Sequence, residues 1–264
     1  MPWQAAFPTP EHEAAAEAIV EHFRARPAVA SVLLVNSCAR GRATADSCLD
    51  LAVVLQPQTP ASDRAALEAS WDAYHDRSAA VRRLHGAGRF SVVHLDIVDG
   101  VFVPEERDEA AGPDGFELGI GNLLVYSHAL LERGDHLAQL RHRWLPYYDE
   151  DLRRQRLVMV RGYCLNNLQH IPGFVARQLY FQAFDRLYNA YREFLQALFI
   201  ARRTYPIAYN KWIREQVEEI LGLPELYALL PHLFEIERFD SDELIEKGRA
   251  VENLLETYAP VPEA

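Results

Sequence analysis

The alternation of apolar and polar positions changes character along this chain. Through about the first half, short apolar runs are separated by amphipathic stretches and loops. Beyond that, apolar residues recur at three- and four-residue steps over long spans. Thr9-Pro10-Glu11 opens a helix expected to run to about Arg26, with a capping hydroxyl, a first-turn proline and early acids at the positive end of the helix dipole. Ala16, Ile19, Val20 and Phe23 form its apolar stripe. Val32-Leu33-Leu34-Val35 is short and β-branched at its ends, which suits an interior strand. Asn36-Ser37 breaks that run, and Gly41 follows Arg40 in a loop of small and polar residues. Leu51-Ala52-Val53-Val54-Leu55 then resumes a strand. Because side chains alternate across a strand, Cys48 and Asp50 are expected on one face and Leu49 and Leu51 on the other.

Gln56-Pro57-Gln58-Thr59-Pro60 ends the second strand and leads into a helix expected over residues 62–84, with Leu67, Trp71, Tyr74 and Val81 inward. Gly86-Ala87-Gly88 closes it, and residues 90–98 form a third strand in which His94 and Asp96 share a face. Residues 101–103 are a candidate extension of the sheet, and 104–114 reads as a surface loop. Leu123-Leu124-Val125-Tyr126 reads as another short strand, with a turn at Arg133-Gly134-Asp135. After about Leu137 helical periodicity takes over. One helix spans about 149–170 and is broken by Ile171-Pro172-Gly173. A second spans about 174–203, with Tyr180, Phe184, Leu187, Tyr191, Phe194, Leu198 and Phe199 as its stripe. Further helices are expected over 211–221, 224–230 and 241–258. The fold class is therefore α+β: a small mixed sheet with flanking helices over residues 1–140, then an α-helical bundle domain over 141–264.

Composition narrows the chemistry. A formal net charge of -11 argues against general nucleic-acid binding and against an anionic membrane surface. No apolar run approaches the roughly 18 residues that cross a bilayer, and the first residues lack a basic stretch followed by an apolar core. The 3 cysteines lack a repeated metal-ligand spacing, which suggests reduced thiols and a cytoplasmic setting. The 10 histidines show no ligand pattern of their own. A Walker loop, a dinucleotide fingerprint and a Gly-x-Ser-x-Gly elbow are all missing from the sequence.

What remains is the centre of the first half. Ser37-Cys38-Ala39-Arg40-Gly41 followed by Asp46-Ser47-Cys48-Leu49-Asp50 resembles the signature of the polymerase-β-like nucleotidyltransferase superfamily. That signature is a Gly-Ser turn, often with Arg-Gly after it, then two aspartates separated by one hydrophobic residue. Asp96, on the third strand, matches the family's later carboxylate. Two positions depart from it: Asn36 stands where the family usually has glycine, and Cys48 stands where it has the first aspartate. A helical second domain also resembles that of bacterial antibiotic and small-molecule nucleotidyltransferases.

The resemblance implies a magnesium-assisted transfer of a nucleoside monophosphate from a nucleoside triphosphate to a hydroxyl on a small-molecule or macromolecular acceptor. In that reading Asp50 and Asp96 are the catalytic carboxylates and hold the metal, with Cys48 at the remaining metal position. Ser37, Arg40 and Lys211 would meet the triphosphate, with Arg42 a further phosphate candidate. Asp96, Asp99 and Glu117 are candidate general bases. Magnesium prefers oxygen ligands, so Cys48 impairs the metal site while leaving the fold inference intact. The alternative is a catalytically inactive homologue that binds nucleotide or ligand or serves as a protein-interaction module, and a third reading is an antitoxin-like partner. A homodimer is compatible with each. The plain structural readings are equally specific: Ser37 as a helix cap, Asp46 as a turn residue, Lys211 as a surface lysine beside a core Trp212, and Tyr180, Tyr188 and Tyr191 as bundle core.

Overall fold

Two buried central strands rich in Val, Leu and Ala and two half-exposed edge strands build a four-stranded mixed sheet in this computed structural model, which describes residues 4–105 and 108–261. The strands are β1 (Val29–Leu34), β2 (Leu49–Leu55), β3 (Val93–Val98) and β4 (His128–Glu132), in the order β3-β2-β1-β4. β1 is antiparallel to both β2 and β4, and β2 is parallel to β3. β1 is buried at every position, the mark of a central strand covered on both faces. One face of the sheet packs against α1 (Pro10–Arg24), α3 (Ala61–Arg77) and α4 (Ala79–His85), through Ile19, Phe23, Leu67, Trp71, Val81 and Leu84.

Several expected elements take a different form. The single helix over 62–84 is two, because the backbone turns extended at Ser78, whose hydroxyl accepts from the Val81 amide at 3.4 Å and caps α4. The strand placed at 123–126 is a π-helical turn, Gly121–Val125, which continues α5 (Phe116–Ile120). Leu123 and Leu124 are both buried there, whereas successive strand residues would point to opposite faces. The edge strand is instead β4, which pairs Ser31 with Glu132 and Leu33 with Ala129. Residues 101–103 extend no strand, and Val101 and Val103 are exposed. A further helix, α6 (His136–Trp144), follows β4.

The chain divides into two compact units, residues 1–102 with 119–145 and residues 103–118 with 146–264. The division is thus discontinuous, in place of a single boundary at 140. Residues 103–118 belong with the helices because Asp114 and Glu117 are partners of Arg156. In the second unit α7 (Glu150–Ala176), α8 (Tyr180–Ala201) and α10 (Glu243–Tyr258) pack on one another, with the short α9 (Pro224–Leu229) alongside. The expected break at Ile171-Pro172-Gly173 is absent: α7 runs through Pro172. A proline removes one amide donor, here to the Leu168 carbonyl, but Leu168, Ile171 and Val175 are all buried in the helical core, and that packing carries the helix through. The stripe on α8 is as expected, with Leu187, Tyr191, Phe194, Leu198 and Phe199 buried, and with Tyr180 and Tyr188 partly buried against the core. Trp212, expected in the core, is 37% exposed and is not a core residue. Among the described residues no helix is long and apolar enough to cross a membrane.

The second unit also buries charge. The Arg156 guanidinium donates to both carboxylate oxygens of Asp114 at 2.6 and 2.7 Å and to both of Glu117 at 2.9 and 2.6 Å. The Gln196 amide donates to the same two carboxylates, each at 2.8 Å, and the Tyr148 hydroxyl donates to Glu117 at 2.8 Å. Burial alone would raise the Asp114 pKa, but the hydrogen bonds and charge of Arg156 hold it below the usual carboxylate range. Glu193 has no such cation bonded to it. It is 1% exposed, accepts from Asn167 at 2.8 Å, and burial pushes its pKa up to about 8 against the weaker pull of Asn167, Arg186 and Arg192.

Arg156→Met leaves two buried carboxylates without their cation and is expected to cost about 3–5 kcal/mol, read as a lower urea midpoint; an unchanged midpoint would refute the assignment. Folded Glu193 keeps a proton that the unfolded chain releases near its ordinary 4.5. Its contribution to stability is therefore full below that value and lost as pH rises toward about 8. Denaturant unfolding across that window should show stability falling with pH in the wild type and a shallower slope in Glu193→Gln.

Candidate functional site

The register of the parallel pair decides which side chains meet. Leu49 stands opposite Val93, Asp50 opposite His94, Leu51 opposite Leu95 and Ala52 opposite Asp96. Leu49, Leu51, Val53 and Ile97 go into the core shared with α1, α3 and α4, so Asp50, His94 and Asp96 fall on the other face. There the Asp50 side chain is 15% exposed and that of His94 61%. Cys48, just before β2, lies on the Asp50 side, as alternation predicts.

The donor atoms are close. His94 Nδ1 lies 3.1 Å from Asp50 Oδ1, and one ligand-capable atom from each of Cys48, Asp50 and His94 lies within 4.8 Å of the others. Asp96 is two residues beyond His94, opposite Ala52, and is outside this group. The cluster therefore offers a thiol, a carboxylate and an imidazole. Magnesium takes hard oxygen donors in near-octahedral geometry, and this donor set does not suit it. The partnership of His94 with Asp50 is what the sequence reading missed. The signal was present in the shared faces of Cys48 with Asp50 and of His94 with Asp96; the missing fact was that β2 and β3 are parallel neighbours in this register.

Two loops are clamped together beneath the cluster. The Arg89 amide donates to Asp46 Oδ1 at 2.9 Å, the Ser91 hydroxyl to the Ala45 carbonyl at 2.6 Å, and the Cys48 thiol to the Phe90 carbonyl at 3.3 Å. From α1, fully buried His12 reaches the Ser47 carbonyl through Nε2 at 2.9 Å, while its Nδ1 lies 2.9 Å from the Thr9 hydroxyl. A donating Nε2–H leaves Nδ1 as the acceptor of the Thr9 proton. Asp46 is thus the turn residue that the plain reading described. Gly88 lies where the two loops are closest: a Cβ there would stand 2.6 Å from the Ala45 carbonyl and 2.7 Å from Asp46 Oδ1.

The turn after β1 is a single short helix, α2 (Asn36–Ala39). Asn36 has φ +56, in the left-handed region that glycine and asparagine enter most readily. Ser37 is 9% exposed, and its carbonyl accepts from the Arg42 amide at 2.9 Å. Arg40 is 3% exposed, whereas Arg42 is exposed. Cys38 is buried under the site; burial, with Asp50 and Cys48 adding to it, pushes its thiol up to about 12, so it stays protonated. Lys211 is exposed and lies in the second unit, in the stretch before the π-helical turn Glu215–Ile220. Two candidate bases have other partners: Asp99 Oδ1 accepts from the Val101 amide at 2.9 Å, and fully buried Glu117 belongs to the Arg156 network.

Because backbone and a fixed carboxylate leave no room at residue 88, Gly88→Ala should separate the two loops. We expect a loss of about 1–3 kcal/mol, the usual cost of overpacking, together with altered NMR shifts at His94. A stable variant with unperturbed His94 resonances would refute the clamp. Comparison with protein-family models and with curated proteins finds no match to this chain.

Proposed function

We propose that this chain is a nucleotidyltransferase-like protein that binds nucleotide without carrying out magnesium-dependent transfer. The observation that carries the reading is the composition of the cluster around Asp50. Its near neighbours with metal-binding capacity are Cys48 and His94, not carboxylates. Support for the nucleotidyltransferase part comes from the arrangement of the first unit. An antiparallel β1–β2 pair encloses a small-residue turn, and the strand bearing Asp96 runs parallel to β2. This support is one of fold pattern and motif, and chemistry must be argued from the site itself.

On that reading the small-residue turn is the phosphate-facing part. Asn36, which is not buried, supplies the left-handed residue that starts the turn, and Ser37, at 9% exposed, follows it. Asp50 has His94 Nδ1 3.1 Å away and a thiol, not a second carboxylate, beside it. The chain would then hold the ligand and lack the charge neutralisation that phosphoryl chemistry requires.

Active transfer is the second reading, and the position of Asp96 on the same face as Asp50 is what favours it. Calorimetry with ATP and GTP separates the two, using the wild type beside Cys48→Asp. We expect wild-type binding that changes less than about threefold on adding magnesium, and magnesium-dependent binding in the variant that is at least about tenfold tighter, a gain of about 1.4 kcal/mol. Transfer of a nucleoside monophosphate to any hydroxyl acceptor by the wild type would establish the second reading. An absence of nucleotide binding in both proteins would overturn the first.

A further inference from the structure

We infer that Cys48, Asp50 and His94 form a binding site for zinc, with one coordination position left to water. The inference rests on this cluster alone and not on nucleotide binding. A thiolate, an imidazole and a carboxylate are the three donor types that zinc accepts, and sites open to substrate use three protein ligands plus a water. The same set is a poor one for magnesium or calcium, which take oxygen.

The spacing is close to what the ion needs. Around a tetrahedral zinc, nitrogen and oxygen ligands with bonds of about 2.0–2.1 Å stand about 3.3 Å apart. His94 Nδ1 and Asp50 Oδ1 are 3.1 Å apart, and the sulfur lies within the 4.8 Å that bounds the group. The His94 side chain is 61% exposed and paired with Asp50 at 3.1 Å, and Asp50 and Cys48 sit two residues apart on and just before β2. The backbone is fixed from two sides: β2 and β3 are in register at Asp50 and His94, and the Arg89–Asp46 and Ser91–Ala45 hydrogen bonds tie the preceding loops. Metal binding replaces the thiol proton that Cys48 now donates to the Phe90 carbonyl, and that proton leaves to solvent. The exposure of His94 places the remaining coordination position toward water. Cys38 does not compete, since its sulfur is fully buried and its own thiol donates toward the Cys48 carbonyl.

The test is metal titration of the full chain after treatment with a chelator, with no nucleotide present. Zinc is followed by competition with a chromophoric chelator and cobalt(II) by its thiolate charge-transfer absorption. We expect one zinc per chain, a cobalt–thiolate band, and no displacement by excess magnesium. Cys48→Ser and His94→Gln should each weaken zinc binding by at least about tenfold, and Cys48→Ser should abolish the cobalt band. Asp96→Asn, which a carboxylate-pair site would need, should change zinc affinity by less than about twofold. Far-UV circular dichroism confirms that each variant is folded, and His94→Gln, on an exposed side chain, remains informative if Cys48→Ser is not. Failure to bind one equivalent of zinc, or binding unaffected by both Cys48→Ser and His94→Gln, overturns the inference. Because no nucleotide enters the titration, either result leaves the nucleotide-binding reading to its own experiment.

Discussion

The side chains at the candidate site are set by the register of one parallel strand pair, and that register is held from the opposite face of the sheet. Leu49, Leu51 and Val53 on β2, with Ile97 on β3, are packed into the core under α1, α3 and α4. A slip of either strand by one residue would carry those side chains to the opposite face and bring Asp50 or His94 into the core under the helices. Each buried aliphatic side chain of this size is worth about 1.5–3 kcal/mol relative to exposure, so the apolar face fixes the polar one. The loop clamps at Asp46, Ser91 and His12 then set where β2 begins, and with it the position of Cys48.

A different constraint organises the second unit. Arg156 on α7 binds two carboxylates that lie close together in sequence, Asp114 and Glu117, and Gln196 on α8 satisfies the same oxygens. Desolvating three charges is expensive, and a buried ion pair is not by itself a source of net stability. Its effect is specificity of position: with the carboxylates buried, only a placement that brings them to Arg156 is acceptable. That requirement ties residues 103–118 to helices that begin at Glu150 and Tyr180, well beyond them in the chain. Phe116, between the two acids, lies with its ring centroid 5.0 Å from the guanidinium, a stacking contact that adds to the same fixation.

How much of this was legible in the sequence depends on whether a local or a distant partner decides the structure. The runs at Val32–Val35 and Leu51–Leu55 read correctly as strands because they are apolar over a strand's length and bounded by turn residues. The alternation that places Cys48 beside Asp50 is local as well. The misses are tertiary. Leu123 and Leu124 look like strand residues, but both are buried on one helical turn. His128–Glu132 is half polar and gave no strand signal, yet it completes the edge because β1 offers it unpaired backbone. Pro172 reads as a stop until the buried residues on either side of it are known to be held by α8 and α10. His94 is the instructive miss at the site: no spacing within the sequence links it to residue 50, and only the parallel register does so.

The substitution at residue 48 has an electrostatic consequence that makes the local arrangement coherent. Two carboxylates side by side repel one another and need a cation between them, so a strand pair built that way is strained when no ion is bound. Here the neighbour of Asp50 just before β2 is a thiol, which donates to the Phe90 carbonyl, and on the adjacent strand it is an imidazole at hydrogen-bond distance. The cluster is therefore satisfied without a metal. The surrounding strands also owe their register to the apolar core, not to an ion, unlike small domains whose fold exists only with zinc bound. It follows that metal binding at Cys48, Asp50 and His94 would be an event on an already folded surface. Its affinity would be set by donor chemistry and by the rotation of His94, and its effect on global stability would be no more than mass action supplies.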